Sequence, residues 1–341
     1  NVKRILVTSN TLSSSNVLKE LKFKKTIHQF LPLDINFFTE KFLNHWDPSI
    51  AIFIDSEIWP NMILNLKRRK KPLILLNGRI TKKSFKKWMW FSNFAHHIFG
   101  KFDLCLSSSK ESKQKLKKLG AHTIKYLGNL KFSQSENKKN IIKKYLKNFI
   151  KEKKVWCASS THYNEEILCG HVHKKLQKKY KNLLTIIIPR HIDRVDTIKS
   201  DLTKLGLSVH LDKPNTIINK NIDIYLVNTY GKTKSFYSNC KNVFLGGSII
   251  NHGGQNPLEA ARYGCNILHG KNITNFREIY NFLNKNDISY TTNTTTELYK
   301  RLDKLFSKKR NSYNKISNKI KFIGFKILNE TNNEINFFLN K

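Results

Sequence analysis

Two pairs of glycines lie within nine residues of each other, directly after a short apolar run at 243–245. Gly246 and Gly247 lead into Ser248, and Gly253 and Gly254 precede a segment with a helical pattern. Glycine lets the backbone approach a ligand closely, and the N-terminus of a helix offers unpaired N–H groups and a positive dipole end. The stretch therefore predicts a site for an anion, in the first place a phosphate.

The residues after the second glycine pair also have a purely structural interpretation. Asn256 and Glu259 have the spacing of a capping box, and Pro257 suits the first position of a helix. A cap accounts for these three residues without any ligand. It does not account for four glycines, which cost chain entropy if they form only a turn, so the phosphate site is favoured.

Polar side chains also follow two earlier apolar runs. After residues 184–188 come Pro189, Arg190 and His191; an arginine there suits a phosphate, a carboxylate or a stacked base, and is otherwise an ordinary surface residue. Nothing in the sequence pairs His191 with a carboxylate, so we do not expect it to be catalytic. After residues 155–158 comes a group that could hold a phosphate or a sugar but alone favours simple helix capping: Ser159, Ser160, Thr161, His162, Glu165 and Glu166.

The first half of the chain carries acids and cations in comparable places. Asp55 and Glu57 follow the apolar run 51–54, where two carboxylates suit acid–base work or, alternatively, cap a helix. Arg79 follows the run 73–76, and Lys131 lies in a later GNLKF segment. These residues predict a polar rim along one side of a ligand cleft.

The elements that must position these residues are short apolar runs alternating with helical patterns. This alternation is typical of parallel sheets covered by helices, and it predicts two doubly wound α/β domains facing each other across a cleft. Ligands of such sheets bind beyond the carboxyl ends of the strands. We expect domains at 1–133 and 155–325, a linker at 134–154 and a C-terminal helix at 326–341. The predicted strands are residues 4–8, 51–54, 73–76, 103–106, 123–126, 155–158, 184–188, 207–211, 222–227, 243–245 and 267–268.

The composition limits the class of protein. The chain has 341 residues, which is enough for two domains. Its five scattered cysteines have no zinc-site spacing, which predicts buried reduced thiols.

The net charge of +38 favours an anionic partner, although codon bias toward lysine would give the same charge. The lysines form no arginine-rich block or RNP-like pattern, so we expect no nucleic acid. No apolar run has the length of a membrane span, and the start at Asn1 inside a strand-like run predicts a further segment upstream.

Taken in order, seven segments between residue 2 and about residue 280 resemble one family, the 3-deoxy-D-manno-octulosonic acid (Kdo) transferases of lipopolysaccharide synthesis. The resemblance implies a GT-B glycosyltransferase in which the first of two Rossmann-like domains binds the acceptor and the second binds the donor, CMP-Kdo. The segments are DSEIWPN, NGRITKKS, GNLKF, SSTHYNEE, PRH, GGS and GGQNPLEAA.

The resemblance also implies a role for each matching residue. Pro189 and Arg190 would lie against the cytidine, and Glu259 would bind the ribose hydroxyls. Glu57, which matches the second glutamate of the family's ETELWP motif, would assist the catalytic base, and Arg79 and Lys131 would meet phosphates of the acceptor. No metal or other cofactor is implied. The donor phosphate would be surrounded by Gly247, Ser248, Gly253, Gly254, Gln255 and Asn256.

The chain departs from the family pattern at three places. The S-V-G-E segment that carries the family's general base is absent, as is the anchoring segment, so we expect this chain alone to be weakly active or inactive. The family's D-T-x-G-E stretch appears as Asn228-Thr229-Tyr230-Gly231-Lys232, whose lysine could neutralise a leaving phosphate, and Gln255 replaces a usual histidine.

The expected reaction is transfer of Kdo from CMP-Kdo to a lipid A precursor (lipid IVA), at an anionic membrane surface on the cytoplasmic face of the bacterial inner membrane. Two alternatives stay open. One is a GT-B transferase that uses another nucleotide sugar, such as a UDP-sugar. The other is a basic protein that binds nucleic acid or membrane without chemistry.

Overall fold

The computed structural model describes residues 2–21, 23–134, 142–212, 218–307 and 313–340. The chain divides into two compact units, one formed by Asn1–Asn129 with Glu330–Lys341 and the other by Leu130–Asn329. The division lies close to the predicted domain limit at residue 133. Of the predicted linker, 135–141 lie outside the described residues, and the later part contains a helix of the second unit, Lys144–Lys151.

The first unit contains two parallel sheets that follow the chain order. One pairs β1 with β2, and the other has the order β3-β4-β5-β6. The predicted runs all appear as strands, with ends shifted by a residue or two. The strand β2 was not predicted because polar residues interrupt its apolar pattern. The strands are β1 (Ile5–Ser9), β2 (Thr26–Phe30), β3 (Ala51–Ile54), β4 (Leu73–Gly78), β5 (Leu104–Ser107) and β6 (Ile124–Tyr126).

Helices connect these strands and pack on the sheet of β3 to β6. Apolar side chains such as Ile63, Leu75 and Phe99 are fully buried between the layers. The helices are α1 (Leu12–Leu21), α2 (Asn36–Trp46), α3 (Pro60–Arg68), α4 (Lys82–Met89), α5 (Ser92–Phe99) and α6 (Lys110–Lys118).

The second unit is built on one parallel sheet of the order β13-β12-β11-β7-β8-β10-β9. After β7 the chain adds β8, β9 and β10 on one side of that strand, and from β11 onward it adds strands on the other side. The winding direction therefore reverses between the neighbouring strands β7 and β11. Ligands of open α/β sheets bind at this point. The strands are β7 (Lys154–Thr161), β8 (Leu183–Pro189), β9 (Val209–Leu211), β10 (Ile224–Leu226), β11 (Asn242–Leu245), β12 (Asn266–His269) and β13 (Ser289–Thr291).

Helices cover both faces of this sheet, as predicted for a doubly wound domain. One face packs around Tyr225, Phe236 and Val243, and the other around Trp156, Leu202 and Phe244. The last helix starts well before the predicted residue 326 and contributes its residues from Glu330 onward to the first unit. The helices are α7 (Lys144–Lys151), α8 (Glu165–Gln177), α9 (Val195–Lys204), α10 (Thr233–Tyr237), α11 (Leu258–Arg262), α12 (Arg277–Asn284), α13 (Thr295–Ser307) and α14 (Tyr313–Leu339).

All five cysteines are free and buried, which confirms the prediction of reduced interior thiols. Burial raises the pKa of the Cys105 thiol to about 12 and raises the pKa values of Cys157 and Cys169 well above their usual range. Within the described ranges, no helix is long and apolar enough to cross a membrane.

Candidate functional site

The glycine-rich loop after β11 does hold an anion, but the anion is the chain's own Glu165. This carboxylate, only 1% exposed, accepts hydrogen bonds from the backbone N–H groups of Gly247 (2.7 Å), Ser248 (3.2 Å) and Ile249 (3.1 Å). As the first residue of α8, it also accepts from the N–H of His162 (2.9 Å) in the loop between β7 and α8. One side chain thus joins the two loops that flank the reversal point of the sheet.

This arrangement corrects part of the predicted phosphate site. The N–H groups of Gly247 and Ser248 are bonded to Glu165 and are not available to a donor phosphate. The hydroxyl of Ser248 is also used, since it donates to the carbonyl of Leu245 and accepts from the N–H of Gly270. Burial raises the pKa of the Glu165 carboxyl, and the four N–H donors oppose that shift by stabilising the charged form.

The second glycine pair has a conformational reason of its own. Gly253 and Gly254 both have positive φ, +97° and +78°. A Cβ on Gly253 would lie 2.5 Å from Nδ2 of Asn275, and a Cβ on Gly254 would lie 3.1 Å from the carbonyl oxygen of Asn272. The two glycines therefore let this loop pass close to the loop after β12, whether or not a ligand is bound.

The predicted helix after the glycines is a single short turn. The Oδ1 atom of Asn256 accepts a hydrogen bond from the N–H of Leu258 (3.1 Å), but the N-cap residue of α11 is Pro257, which has no capping side chain. The capping box predicted between Asn256 and Glu259, with Pro257 as the first helical residue, is therefore not the arrangement seen here. With five residues, α11 has few aligned peptide dipoles, which weakens the predicted dipole contribution at its N-terminus. Glu259 is half-buried on α11.

A cluster of imidazoles and one guanidinium lies at the same edge of the sheet. The ring of His162 lies 4.3 Å from that of His252 and 5.8 Å from that of His191, measured between centroids. Nε2 of His162 is 3.4 Å from the amide nitrogen of Gln255. Arg190 is exposed, and its backbone N–H bonds the carbonyl of Thr161 at the end of β7 (2.9 Å). The structure thus brings the predicted residues Arg190 and Gln255 to the same edge of the sheet. Pro189, which precedes Arg190, is buried as the last residue of β8.

His162 is held neutral at the centre of this cluster. Burial lowers the pKa of its imidazole to about 4, and the charges of His252, His191, Arg190 and Arg194 add to the effect. Arg194 itself is paired with Glu166, with nitrogen–oxygen distances of 3.2 and 3.1 Å. Arg190, in contrast, is exposed to solvent.

In the first unit, the structure brings Glu57 and Arg79 to neighbouring strand ends. The hydroxyl of Ser56 donates to the carbonyl of Arg79 (2.7 Å), and the N–H of Arg79 donates to the carbonyl of Asp55 (3.0 Å). Glu57 is exposed and accepts a hydrogen bond from the indole of Trp59 (3.0 Å). The two strand ends thus form one polar rim of the first unit.

Lys131 has its contacts in the second unit. It was predicted on the acceptor side, in the first domain, but it lies in the second unit, in a 3-10 turn (Leu130–Ser133). Arg262 donates to the carbonyls of Lys131 (3.1 Å) and Phe132 (3.0 Å), and the ammonium of Lys131 lies 5.1 Å from the ring centre of Phe276. These contacts with α11 and the start of α12 fix it there.

The altered stretch 228–232 also differs from expectation. Lys232, predicted to be able to neutralise a leaving phosphate, forms an ion pair with the buried Asp212 (2.7 Å), which also accepts from the hydroxyl of Tyr225 (2.9 Å). The charge of Lys232 is therefore already balanced. Near it, Oδ1 of Asn228 is buried, and no hydrogen-bond partner for it is found in the described part of the chain.

Two features of the site were missed from the sequence. Glu165 was taken as a simple helix-capping acid, and its partners after β11 are 82 to 84 residues away. His252 was not singled out at all. The signal that could have found both is the reversal of the sheet between β7 and β11, which makes the loops after these two strands neighbours.

The comparisons with known proteins decide the family. The family model described as "3-Deoxy-D-manno-octulosonic-acid transferase (kdotransferase)" matches residues 1–134. The 3-deoxy-D-manno-octulosonic acid transferase of Rickettsia bellii is 33% identical over 334 residues, which are 96% of this chain and 79% of that protein. The chain belongs to the Kdo transferase family.

A second relative in this family is the Kdo transferase of Rickettsia felis, 34% identical over 307 residues. That match includes 89% of this chain, and the chain spans 65% of the length of the relative. A solved UDP-N-acetylglucosamine 2-epimerase has a TM-score of 0.64 over 98% of this chain and 88% of its own, at 11% identity. This likeness concerns the fold alone and agrees with the predicted GT-B class.

We predict that Glu165→Gln lowers the stability of this Kdo transferase homologue. The amide would direct its NH2 group at backbone N–H groups that now bind a carboxylate, so the free energy of unfolding should fall by about 2–4 kcal/mol. Urea unfolding at pH 7, followed by circular dichroism, measures this. The exposed Glu152→Gln is the matched control. A Glu165→Gln effect within about 0.5 kcal/mol of that control would show that the carboxylate does not hold the loops.

A second prediction concerns pH. His162 has a pKa of about 4 in the folded chain against 6.5 when unfolded, so folding is penalised as the pH falls from 6.5 to 4. At most this costs about 1.4 kcal/mol per pH unit. In His162→Gln the fall in unfolding free energy over this range should be shallower. His171→Gln, at an exposed position of α8, should keep the wild-type slope, and equal slopes in all three proteins would contradict the assignment.

Proposed function

We propose that the protein is a glycosyltransferase that moves Kdo from CMP-Kdo to a hydroxyl of a lipid A precursor. The observation that carries this proposal is that the chain belongs to the Kdo transferase family. The match with the Rickettsia bellii protein includes 96% of this chain. Two α/β units built on parallel sheets, with polar residues at their strand ends, are consistent with such a transferase.

The donor is proposed to bind at the carboxyl edge of the second unit's sheet. Arg190 is exposed there beside the neutral His162, and a guanidinium suits a phosphate or a stacked base. Gln255 and Glu259 would contribute hydrogen-bonding groups to the sugar or ribose from the loop and helix after β11. Positive charge beside the phosphate would stabilise CMP as it leaves with the electrons of the broken bond.

The acceptor is proposed to bind at the polar rim of the first unit. Glu57 is exposed, with its carboxylate oriented by Trp59, and would assist deprotonation of the attacking hydroxyl. Arg79 would meet a phosphate of the acceptor. Lys131 is left out of this acceptor set because its surroundings belong to the second unit.

The place of action is proposed to be the cytoplasmic face of a bacterial inner membrane. A net charge of +38 attracts the chain to anionic lipid, and a lipid A precursor is itself an anionic lipid. The sequence alternatives, another nucleotide sugar or plain polyanion binding, become outcomes of the binding experiment below.

We predict that the chain binds CMP and that Arg190→Ala weakens this binding about tenfold or more, because a charged hydrogen bond to the nucleotide is lost. Isothermal titration with CMP, at fixed ionic strength, gives the Kd. Arg277→Ala, at an exposed position of the same unit, is the matched control and should leave the Kd unchanged.

Three outcomes would contradict the proposal. Preference for UDP over CMP would favour a transferase with another donor. Equal CMP binding by wild type and Arg190→Ala would remove Arg190 from the site. Binding of any polyanion with a steep loss of affinity in salt, and no nucleotide preference, would favour a basic binding protein without chemistry.

A further inference from the structure

The turn between α4 and α5 in the first unit exposes large apolar side chains. Trp90 is 76% exposed, Phe91 69%, Phe94 47% and Met89 38%. We call these four side chains the aromatic corner. Exposed aromatic side chains of this size, gathered in one place, mark an interaction surface.

The aromatic corner is held in place by packing beneath it. The ring of Trp88 stacks on Phe94 (6.3 Å between centroids, 21° between planes) and meets the fully buried Phe99 edge-on at 5.2 Å. The carbonyl of Phe91 accepts the N–H of Ala95, which is itself fully buried (2.9 Å). The outer rings are therefore exposed on two helices that are themselves packed in place.

Four lysines lie on α4 just before this corner, and no acid is near it in sequence. Lys82, Lys83, Lys86 and Lys87 of α4 are all exposed; we call them the basic collar. Residues 58–102 contain no aspartate or glutamate. This part of the surface therefore combines exposed apolar rings on α4, on α5 and in the turn between them with four exposed lysines of α4.

This chemistry fits the interface of an anionic bilayer. Tryptophan and phenylalanine partition to the level of the lipid head groups, and lysines beside them bind anionic head groups. A second copy of the chain is a poor occupant, because a symmetric contact would bring two basic collars together. Single-stranded nucleic acid binds aromatic rings within a basic groove, whereas these rings project from a helix–helix corner.

We propose that the aromatic corner inserts into the head-group region of an anionic membrane while the basic collar binds its lipids. The proposal deepens the proposed function, on which it rests for the presence of a lipid acceptor. The collar begins close to the acceptor rim: Arg79 lies two residues before Thr81, whose hydroxyl caps α4 by accepting the N–H of Ser84 (3.0 Å). An inserted corner would hold that rim at the membrane surface.

Vesicle co-sedimentation tests the insertion. The chain is mixed with vesicles of phosphatidylcholine and phosphatidylglycerol, and with vesicles of phosphatidylcholine alone. We expect Trp90→Ser/Phe91→Ser to weaken partitioning into the anionic vesicles at least about tenfold. The matched control is Phe322→Ser/Phe325→Ser on α14, where two rings are 70% and 65% exposed outside the corner, and it should partition as wild type does.

The basic collar is tested by four Lys→Gln changes at 82, 83, 86 and 87. Each lysine near an anionic surface contributes about fivefold, so the quadruple variant should lose at least about tenfold. The control changes four exposed lysines of the second unit to glutamine and alters the net charge equally: Lys151, Lys178, Lys199 and Lys204. Equal losses in the two quadruple variants would show that only total charge matters and would overturn the collar.

Further outcomes separate this proposal from its rivals and from the proposed function. The proposal is overturned by wild-type partitioning of the corner variant, or by equal binding to neutral and anionic vesicles. It is also overturned if sedimentation shows a wild-type dimer that the corner variant dissociates. CMP titration is repeated on every variant: unchanged CMP binding with lost vesicle binding supports the corner, whereas absent CMP binding in wild type contradicts the donor assignment alone.

Discussion

The arrangement of the second unit's sheet edge depends on one buried carboxylate. Loops after β7 and β11 meet where the winding of the sheet reverses, and each brings backbone N–H groups that no strand or helix satisfies. Glu165 accepts four of them at once. Burying those donors unpaired would cost about 1–3 kcal/mol each. A single acid at this position therefore lets the glycine-rich loop pack closely with its N–H groups hydrogen-bonded. His162, Gln255 and the glycines of the second pair take their places around this junction.

Much of the fold could be predicted because parallel strands buried on both faces are continuous apolar runs. The run 73–76 lies in the largely buried β4, and the run 243–245 forms most of the fully buried β11. The two strands that were missed carry weak signals: β2 alternates with polar residues, and β13 is three residues long. Helix limits were less predictable, since α14 begins before its expected start and α11 is only one turn long.

The site was predictable only as far as local sequence decides it. That glycines would form an anion nest follows from their backbone freedom, and Arg190 and Glu57 follow from their places after strands. Which anion fills the nest is decided by a residue 82 positions earlier, which no local pattern reveals. The same limit applies to two lysines. The backbone of Lys131 is held by Arg262, and the side chain of Lys232 pairs with Asp212. Both partners are distant in sequence.

The buried thiols have a practical meaning. Every cysteine of the chain lies in the interior, and burial raises the pKa values of Cys105, Cys157 and Cys169, so that thiolate, the reactive form, is scarce on all three. A maleimide added to the folded chain should meet hardly any accessible sulfur. A cysteine engineered onto the surface would then be the position that takes a spectroscopic label, without removal of the natural five. Because its own thiols are buried, the protein can be labelled at a single engineered surface cysteine.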